Sequence, residues 1–224
     1  MNSELIRNDF PILKTKVGGH QIVYFDNAAT TQRPLPVVNA VLDYTTHENG
    51  NPHRGAHIFA ISASEAYDTS KEVVRDFIHA RSEKEIIYTR NTSESLNLVA
   101  RSYGETHLKA GDHILITIAE HHSNLVTWQR VAQKTGATLD YIYVDKETGH
   151  FPEEELKKID DPRVKLFAFA EVSNVLGIDF DPKPLIQRAH AHGAIVVLDG
   201  AQSTPHKPVD VQDLDCDFFA FSGH

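Results

Sequence analysis

Short apolar runs alternate with segments of helical periodicity through the middle and end of the chain. The runs Val164–Ala170 and Ala194–Leu198 are almost continuously apolar, which is typical of strands buried on both faces of a parallel sheet. Further strands are predicted at 86–89, 113–117, 138–144 and 217–221, and helices at 92–109, 124–134, 152–159 and 184–192. This alternation predicts a mostly parallel, doubly wound α/β sheet, a fold that binds ligands beyond the carboxyl ends of its strands.

Residues 1–85 do not show the same alternation. Their pattern predicts a short strand at 21–25, a helix at 36–46 and a long helix at 62–80, with a loop rich in Gly, Asn and His at 49–55. We therefore expect the chain to divide near residue 85, with the large α/β domain formed by residues 86–224.

Composition excludes several classes of protein. Of the 224 residues, 41% are hydrophobic and 24% charged, as in ordinary globular proteins, and the net charge of −9 argues against binding to nucleic acid or to anionic membranes. No apolar run is long enough for a secretory signal or a membrane span. Cys216 is the one cysteine, so no intrachain disulfide can form. We expect a cytoplasmic protein.

Polar residues follow four of the predicted strands. Thr92 and Ser93 open a helix, where hydroxyls and free N–H groups could bind an anion or form an ordinary N-cap. His121 follows the next strand and could stack on an aromatic ligand or lie in solvent, whereas the histidine spacing around it excludes a zinc site. Asn174 lies in a turn bounded by glycine, where it could donate to a ligand.

Asp199 ends the apolar run Ala194–Leu198. A carboxylate at the end of a buried strand is costly unless it is paired, so Asp199 caps the next helix or holds a cation such as a protonated pyridinium nitrogen. A nucleotide-binding Rossmann protein is disfavoured, because no Gly-x-Gly-x-x-Gly follows a strand.

The order of these signals resembles a known family. The segments Asp199–Gln202 and Asp217–His224 are similar to class V aminotransferase-like enzymes, which depend on pyridoxal 5'-phosphate (PLP) and have fold type I. Five segments are similar to group II (Suf-type) cysteine desulfurases: Asp26–Thr31, Pro52–Gly55, Glu120–Asn124, Val172–Gly177 and Asp215–Phe218. The resemblance covers essentially all 224 residues.

The resemblance implies a role in PLP binding for each matching residue. The phosphate would be held by Thr92, Ser93, Ser222 and His224. His121 would stack on the ring, and Asp199 would pair with the pyridinium nitrogen, so that both act in catalysis. Gln202 would bind the phenolic oxygen, and Asn174 would lie near that oxygen and the substrate carboxylate.

The resemblance also places residues 1–85 near the substrate, as an N-terminal arm and part of the small-domain or substrate-loop region. Ala28 and Ala29 would lie on a loop that approaches the substrate and leaves room for it. His53 and Arg54 would border the mouth of the active site, at a dimer interface, although a solvated loop explains these two residues equally well.

The implied activity is that of a cysteine desulfurase. Such an enzyme converts L-cysteine to L-alanine and transfers the sulfur, as an enzyme persulfide, toward iron–sulfur cluster assembly. The resemblance implies a homodimer and a Suf-type sulfur acceptor. It also implies a Schiff-base lysine at position 225, a nucleophilic cysteine further downstream and a small C-terminal domain, so we interpret the chain as ending just before the lysine. The alternatives are a selenocysteine lyase acting on L-selenocysteine, another class V enzyme, and a truncated, non-catalytic scaffold or binding chain.

Two reactive side chains within the 224 residues are poor catalytic candidates. Cys216 lies between Asp215 and Asp217, whose carboxylates would raise its pKa and suppress the thiolate, so we assign it a structural role. Lys207 lies in a turn after Asp199, where we expect it to be solvated and not to form a Schiff base.

Overall fold

The computed structural model describes residues 3–223, which form two compact units, 3–74 and 75–223. Within these residues no helix combines the length and the apolar character needed to cross a membrane. The roles predicted for residues 1–85 and 86–224 stay predictions.

The first unit holds three helices and a small hairpin among its described residues. In chain order these are α1 (Ser3–Asn8), β1 (Lys16–Val17), β2 (His20–Gln21), α2 (Leu35–Asp43) and α3 (Ile58–Phe77). The helix predicted at 36–46 is confirmed as α2, which continues into a π-helical turn at Tyr44–Glu48, and the helix predicted at 62–80 is confirmed as α3.

The strand predicted at 21–25 is wrong for most of its length. Only β2 pairs, antiparallel to β1, and the two strands are joined by Gly18 and Gly19. Both glycines have positive φ, 59° and 83°, as a tight hairpin turn requires. The pairing ends just beyond β2: the Ile22 N–H donates to the Thr15 carbonyl at 3.4 Å, and residues 23–25 have no strand partner among the described residues.

The second unit is an α/β sandwich. Its elements in chain order are α4 (Thr92–Val99), α5 (Glu105–His107), β3 (His113–Thr117), α6 (His122–Thr135), β4 (Thr138–Ile142), α7 (Glu153–Leu156), β5 (Val164–Ala170), α8 (Pro182–Ala191), β6 (Ile195–Asp199), α9 (Val211–Leu214) and β7 (Phe218–Ala220). The five strands β3–β7 form one parallel sheet in the order β4-β3-β5-β6-β7. The parallel α/β sheet predicted from the apolar runs is confirmed.

The sheet is buried on both faces by two separate groups of apolar side chains. Alternate residues of β3, β5 and β6 point to opposite faces, so one face carries Ile114, Ile116, Leu166, Ala168 and Val197, and the other Leu115, Phe167, Phe169, Val196 and Leu198. Leu96 of α4 and Trp128 of α6 pack on the first face, and Ile186 of α8 packs on the second. Burial on both faces explains why these strands are apolar at nearly every position.

One predicted strand is wrong: residues 86–89 are extended but belong to no sheet in the described structure. This segment and β7 both line one groove of about 390 Å³, and no strand ladder joins them. An apolar, β-rich sequence favours an extended backbone, but only a neighbouring strand at hydrogen-bonding distance makes it part of a sheet.

The register of the sheet brings the predicted site residues to one edge. Ala170 of β5 pairs with Asp199 of β6, which pairs with Ala220 of β7. Because these strands are parallel, the loops that follow β3, β5, β6 and β7 all begin at the same edge. That edge carries the candidate site.

Candidate functional site

A group of hydroxyls converges at the N-terminus of α4. Asn91 caps the helix by accepting from the Glu94 N–H at 2.9 Å. Ser222, just beyond β7, accepts from the Thr92 N–H at 3.1 Å and contacts the Thr92 hydroxyl at 2.6 Å. The Ser93 hydroxyl contacts that of Ser123, at the start of α6. The cap and the hydroxyl cluster therefore coexist, because Asn91 supplies the cap and leaves Thr92 and Ser93 to face Ser222 and Ser123.

Asp199 is buried at the end of β6, with 4% of its surface exposed. One carboxylate oxygen accepts from the Ala201 N–H at 3.0 Å. Burial raises the pKa of Asp199 above its usual range, while the Ala201 hydrogen bond and the charge of nearby His121 act in the opposite direction. A cation placed against this carboxylate would remove most of the cost of its burial.

His121 caps α6 and leaves its ring exposed. Its Nδ1 accepts from the Ser123 N–H at 3.2 Å and lies 2.9 Å from the Ser123 hydroxyl. Ser123 therefore joins two parts of the site, since it orients the His121 ring and also contacts Ser93 of the hydroxyl cluster. No role was predicted for Ser123, although its position two residues after His121 at a helix start is an available signal.

Glu120 is a second buried acid at this edge, and no role was predicted for it. Its carboxylate accepts from the Thr117 hydroxyl, the Asn124 amide at 2.6 Å and the Ala170 N–H at 3.0 Å. The Trp128 indole N–H donates to the Asn124 carbonyl at 2.8 Å and thereby fixes which way that amide faces. Burial raises the pKa of Glu120 to about 8, the three donors lower it, and the charge of Asp199 raises it further.

Asn174 is exposed in a tight hairpin that follows β5. Val172 and Asp179 form a bridge across the hairpin, and the Ser173 N–H donates to the Ile178 carbonyl at 3.1 Å. The Ser173 hydroxyl donates to the Ala119 carbonyl at 2.9 Å, which joins the hairpin to the loop that carries His121.

Lys207 corrects one expectation from the sequence. Its ammonium lies 2.7 Å from a carboxylate oxygen of Glu171 and 2.8 Å from one of Asp179, and only 30% of its side chain is exposed. The expectation of a solvated lysine was wrong, because the turn after Asp199 brings Lys207 against the start of the Asn174 hairpin.

The Cys216 thiol is unsuited to nucleophilic attack. Burial raises its pKa to about 12, and the negative charges of Asp217, Glu171 and Asp215 add to the effect. The structural role assigned to this cysteine is consistent with so small a thiolate fraction.

The remaining predicted site residues are dispersed. Gln202 is partly exposed three residues after Asp199, and His224 lies outside the described residues. Ala28, Ala29, His53 and Arg54 belong to the first unit, and their roles toward the substrate stay predictions. His53 has partners of its own there: its N–H donates to the Ser64 hydroxyl at 2.8 Å, and its ring lies 3.3 Å from an Asp68 carboxylate oxygen. Within residues 3–223 no cluster of His, Cys, Asp and Glu is arranged to hold a metal ion.

A model of the aminotransferase class V family matches residues 23–224. The chain belongs to this family. A probable cysteine desulfurase from Halalkalibacterium halodurans is 48% identical over 224 residues, which are all of this chain and 55% of that protein. A cysteine desulfurase from Synechococcus elongatus is 48% identical over 219 residues, 98% of this chain and 35% of that protein.

The same family relationship holds in three dimensions. The apo structure of a cysteine desulfurase from Thermococcus onnurineus superposes with a TM-score of 0.89 at 42% identity, over 99% of this chain and 53% of that one. The chain thus spans about half the length of the Halalkalibacterium and Thermococcus proteins and about a third of the Synechococcus protein.

Class V enzymes depend on PLP, and the described residues fit it. A phosphate suits the start of α4, where the Thr92 hydroxyl contacts that of Ser222 and the Ser93 hydroxyl contacts that of Ser123. A protonated pyridine nitrogen suits the buried Asp199, and an aromatic ring suits the exposed face of His121. The site therefore offers hydroxyl donors for a phosphate, the Asp199 carboxylate for a ring nitrogen and the His121 imidazole for stacking, all at one edge of the sheet.

Proposed function

We propose that this chain is the PLP-binding part of a cysteine desulfurase of the Suf type. The observation that carries the proposal is the convergence of the α4 hydroxyl cluster, His121 and buried Asp199 at one edge of the parallel sheet. The names of the relatives support L-cysteine as the substrate. The resemblance of the segments after β3 and β5 to Suf-type enzymes supports the Suf-type group.

Each side chain then has one task. Thr92, Ser93 and Ser222 bind the phosphate and anchor the group against the start of α4. His121 lies against the ring and restricts its tilt. Asp199 keeps the ring nitrogen protonated, because a carboxylate fixed in a buried position stabilises a cation next to it. When bound, PLP supplies an electron sink that weakens bonds around the substrate's amino carbon.

Gln202 and Asn174 complete the proposed site. Gln202 binds the phenolic oxygen, and Asn174 binds near that oxygen and the substrate carboxylate. Ala28 and Ala29 leave space for the substrate, and His53 and Arg54 border the entrance. Their positions in the motifs shared with Suf-type enzymes support these roles.

The whole protein's reaction requires groups beyond those described. We propose a Schiff-base lysine at position 225 and a downstream cysteine whose thiolate takes the sulfur as a persulfide, leaving L-alanine. A homodimer and a Suf-type acceptor that passes sulfur to iron–sulfur cluster assembly follow from the same resemblance. The raised pKa of Cys216 supports a nucleophile elsewhere, because its thiolate fraction at neutral pH is very small.

The test is Asp199→Ala in a full-length protein that carries this sequence. We expect alanine release from cysteine to fall on the order of a hundredfold or more, the size of loss seen when a preorganised electrostatic partner is removed. PLP should still bind in part, because the hydroxyl cluster remains. Release of alanine and visible absorbance of bound PLP are the measurements.

The matched control is Asp213→Ala, which removes an exposed acid paired with Lys183 on the same unit. It should keep wild-type turnover. Unchanged alanine release in Asp199→Ala would refute the role of this carboxylate, and a wild-type protein that binds no PLP would refute the proposed function.

A further inference from the structure

The loops that follow β5 and β6 are joined by one lysine. The loop after β6 turns back on itself, since the Thr204 N–H donates to the Gly200 carbonyl at 3.0 Å and the Lys207 N–H donates to the Ser203 carbonyl at 3.0 Å. This turn begins at Asp199 and ends with the ammonium of Lys207 against Glu171 and Asp179 of the neighbouring loop.

The two carboxylates that Lys207 contacts occupy the two ends of the Asn174 hairpin. Glu171 is the first residue after β5, and its carbonyl accepts from the Phe180 N–H at 2.9 Å, which closes the hairpin. Asp179 lies in the returning strand, opposite Val172. Lys207 therefore contacts the hairpin where it leaves the sheet and where it returns, and both contacts are shorter than 3 Å.

The burial of Glu171 makes its carboxylate depend on the Lys207 ammonium. It is 2% exposed, its Oε1 lies 2.7 Å from the Lys207 ammonium, and its Oε2 is buried without a hydrogen-bond partner. A buried carboxylate tolerates an unpaired oxygen only while a cation compensates its charge. Its backbone N–H donates to the Asp199 carbonyl at 3.0 Å, so a displacement of Glu171 acts directly on the end of β6.

We propose that Lys207 is a positioning residue that clasps the hairpin 171–180 to the turn 199–207. The clasp, formed by Lys207, Glu171 and Asp179, sets the distance between Asn174 on one loop and Asp199 and Gln202 on the other. The inference rests on the proposed function, because those three residues are there assigned to the same bound cofactor. A lysine suits the task, since one ammonium has three donors on a flexible stem and reaches two carboxylates at once.

The clasp is tested first by hydrogen exchange in a full-length protein that carries this sequence. Lys207→Met removes the ammonium and keeps most of the apolar stem. We expect the amides of Ser173, Gly177 and Phe180, which hold the hairpin, to exchange at least about tenfold faster, because the hairpin can then open locally. Lys207→Arg should keep near wild-type protection.

The matched control is Lys183→Met, which removes an exposed lysine from its pair with Asp213. It should leave hairpin exchange unchanged, as should the amides of β3 in every variant. Equal exchange rates in the hairpin for Lys207→Met and Lys183→Met would overturn the clasp.

The second test separates positioning from charge compensation. Lys207→Met should raise the PLP dissociation constant roughly tenfold, the usual scale for losing a residue that orients a direct ligand. It should also shift the pH midpoint of the visible absorbance of bound PLP, because Asn174 and Gln202 no longer hold the phenolic oxygen in place. The double variant Glu171→Gln with Lys207→Met has no buried charge to compensate but also has no clasp.

The double variant should regain the wild-type unfolding midpoint while PLP binding stays weak and the absorbance midpoint stays shifted. Recovery of PLP binding together with stability would overturn the proposal, since Lys207 would then only neutralise Glu171. Should Lys207→Met fail to fold, the double variant alone decides between these outcomes. A wild-type protein that binds no PLP would refute the proposed function, and hairpin exchange would still decide the clasp.

Discussion

The buried carboxyl of Glu120 should make the stability of this chain depend on pH in an unusual direction. Burial raises its pKa from 4.5 to about 8 in the folded state. Between these values the folded chain holds a proton that the unfolded chain releases. The stability that Glu120 contributes is therefore greatest below about pH 4.5 and falls as the pH rises toward 8.

The size of the effect follows from the shift. Each pH unit in that window costs about 1.4 kcal/mol, so the contribution of Glu120 falls by roughly 3 kcal/mol between pH 5 and pH 7. Glu120→Gln removes the titration. It also places an amide donor against another donor in either orientation, the Asn124 amide at the Oε2 position or the Ala170 N–H at the Oε1 position, and the Asn124 amide cannot reverse without losing Trp128. That donor conflict costs about 1–3 kcal/mol at every pH.

Because these two effects oppose each other, the stability curves of wild type and Glu120→Gln should cross between pH 5 and pH 8. At pH 5 the glutamine variant should be less stable than wild type by about 1–3 kcal/mol, the cost of the donor conflict. By pH 8 the wild type has lost more than that, and the variant should be the more stable protein. The Asp199 charge also raises the Glu120 pKa, so Asp199→Asn should flatten the wild-type pH dependence.

The assay is urea unfolding from pH 5 to pH 8, followed by the fluorescence of Trp128, the one tryptophan in the chain, which hydrogen-bonds within the Glu120 network. Glu154→Gln changes an exposed glutamate and serves as the control, with the same pH dependence as wild type. Parallel stability curves for wild type and Glu120→Gln across this range would refute the reasoning.

Two further predictions concern other parts of the second unit. A rise in the Cys216 pKa from 9.0 to about 12 makes alkylation of the folded chain at pH 8 about a thousandfold slower than in urea; equal rates in the two states would contradict it. Gly136 and Gly193 both end helices with φ near 77°, so Gly→Ala at either site should cost about 1 kcal/mol in urea unfolding. Gly136→Ala should cost more, because its Cβ would lie 3.3 Å from the Ala110 Cβ whereas nothing lies within 4 Å at Gly193; equal losses would show that Ala110 gives way freely.

The strands that the sequence predicted well are those buried on both faces. The predicted runs 113–117 and 164–170 match β3 and β5 residue for residue, because nearly every side chain faces a covering layer. Residues 86–89 and 23–25 have similar local preferences but no strand beside them in the described structure. Local propensity cannot specify a partner, which explains both errors.

A site residue could be predicted from the sequence where its residue type, at the end of a strand, has few structural roles other than binding a ligand. A carboxylate after a buried apolar run needs a partner, which singles out Asp199 in the sequence, and in the structure only 4% of its surface is exposed. The expectation that Lys207 is solvated was wrong, because its neighbours in the sequence indicate only a turn. Its carboxylate partners Glu171 and Asp179 are far from it along the chain and meet it only through the pairing of β5 with β6.

The sequence by itself determined the layers of this protein and the residues at the carboxyl ends of its strands, since periodicity and turn chemistry are local properties. Only the tertiary structure decided which strand ends are neighbours, and hence that Ser222 meets Thr92, that Ser123 meets Ser93, and that one lysine joins two loops. The physical reason is that strand order and register depend on how side chains pack across the whole sheet, which no single segment encodes.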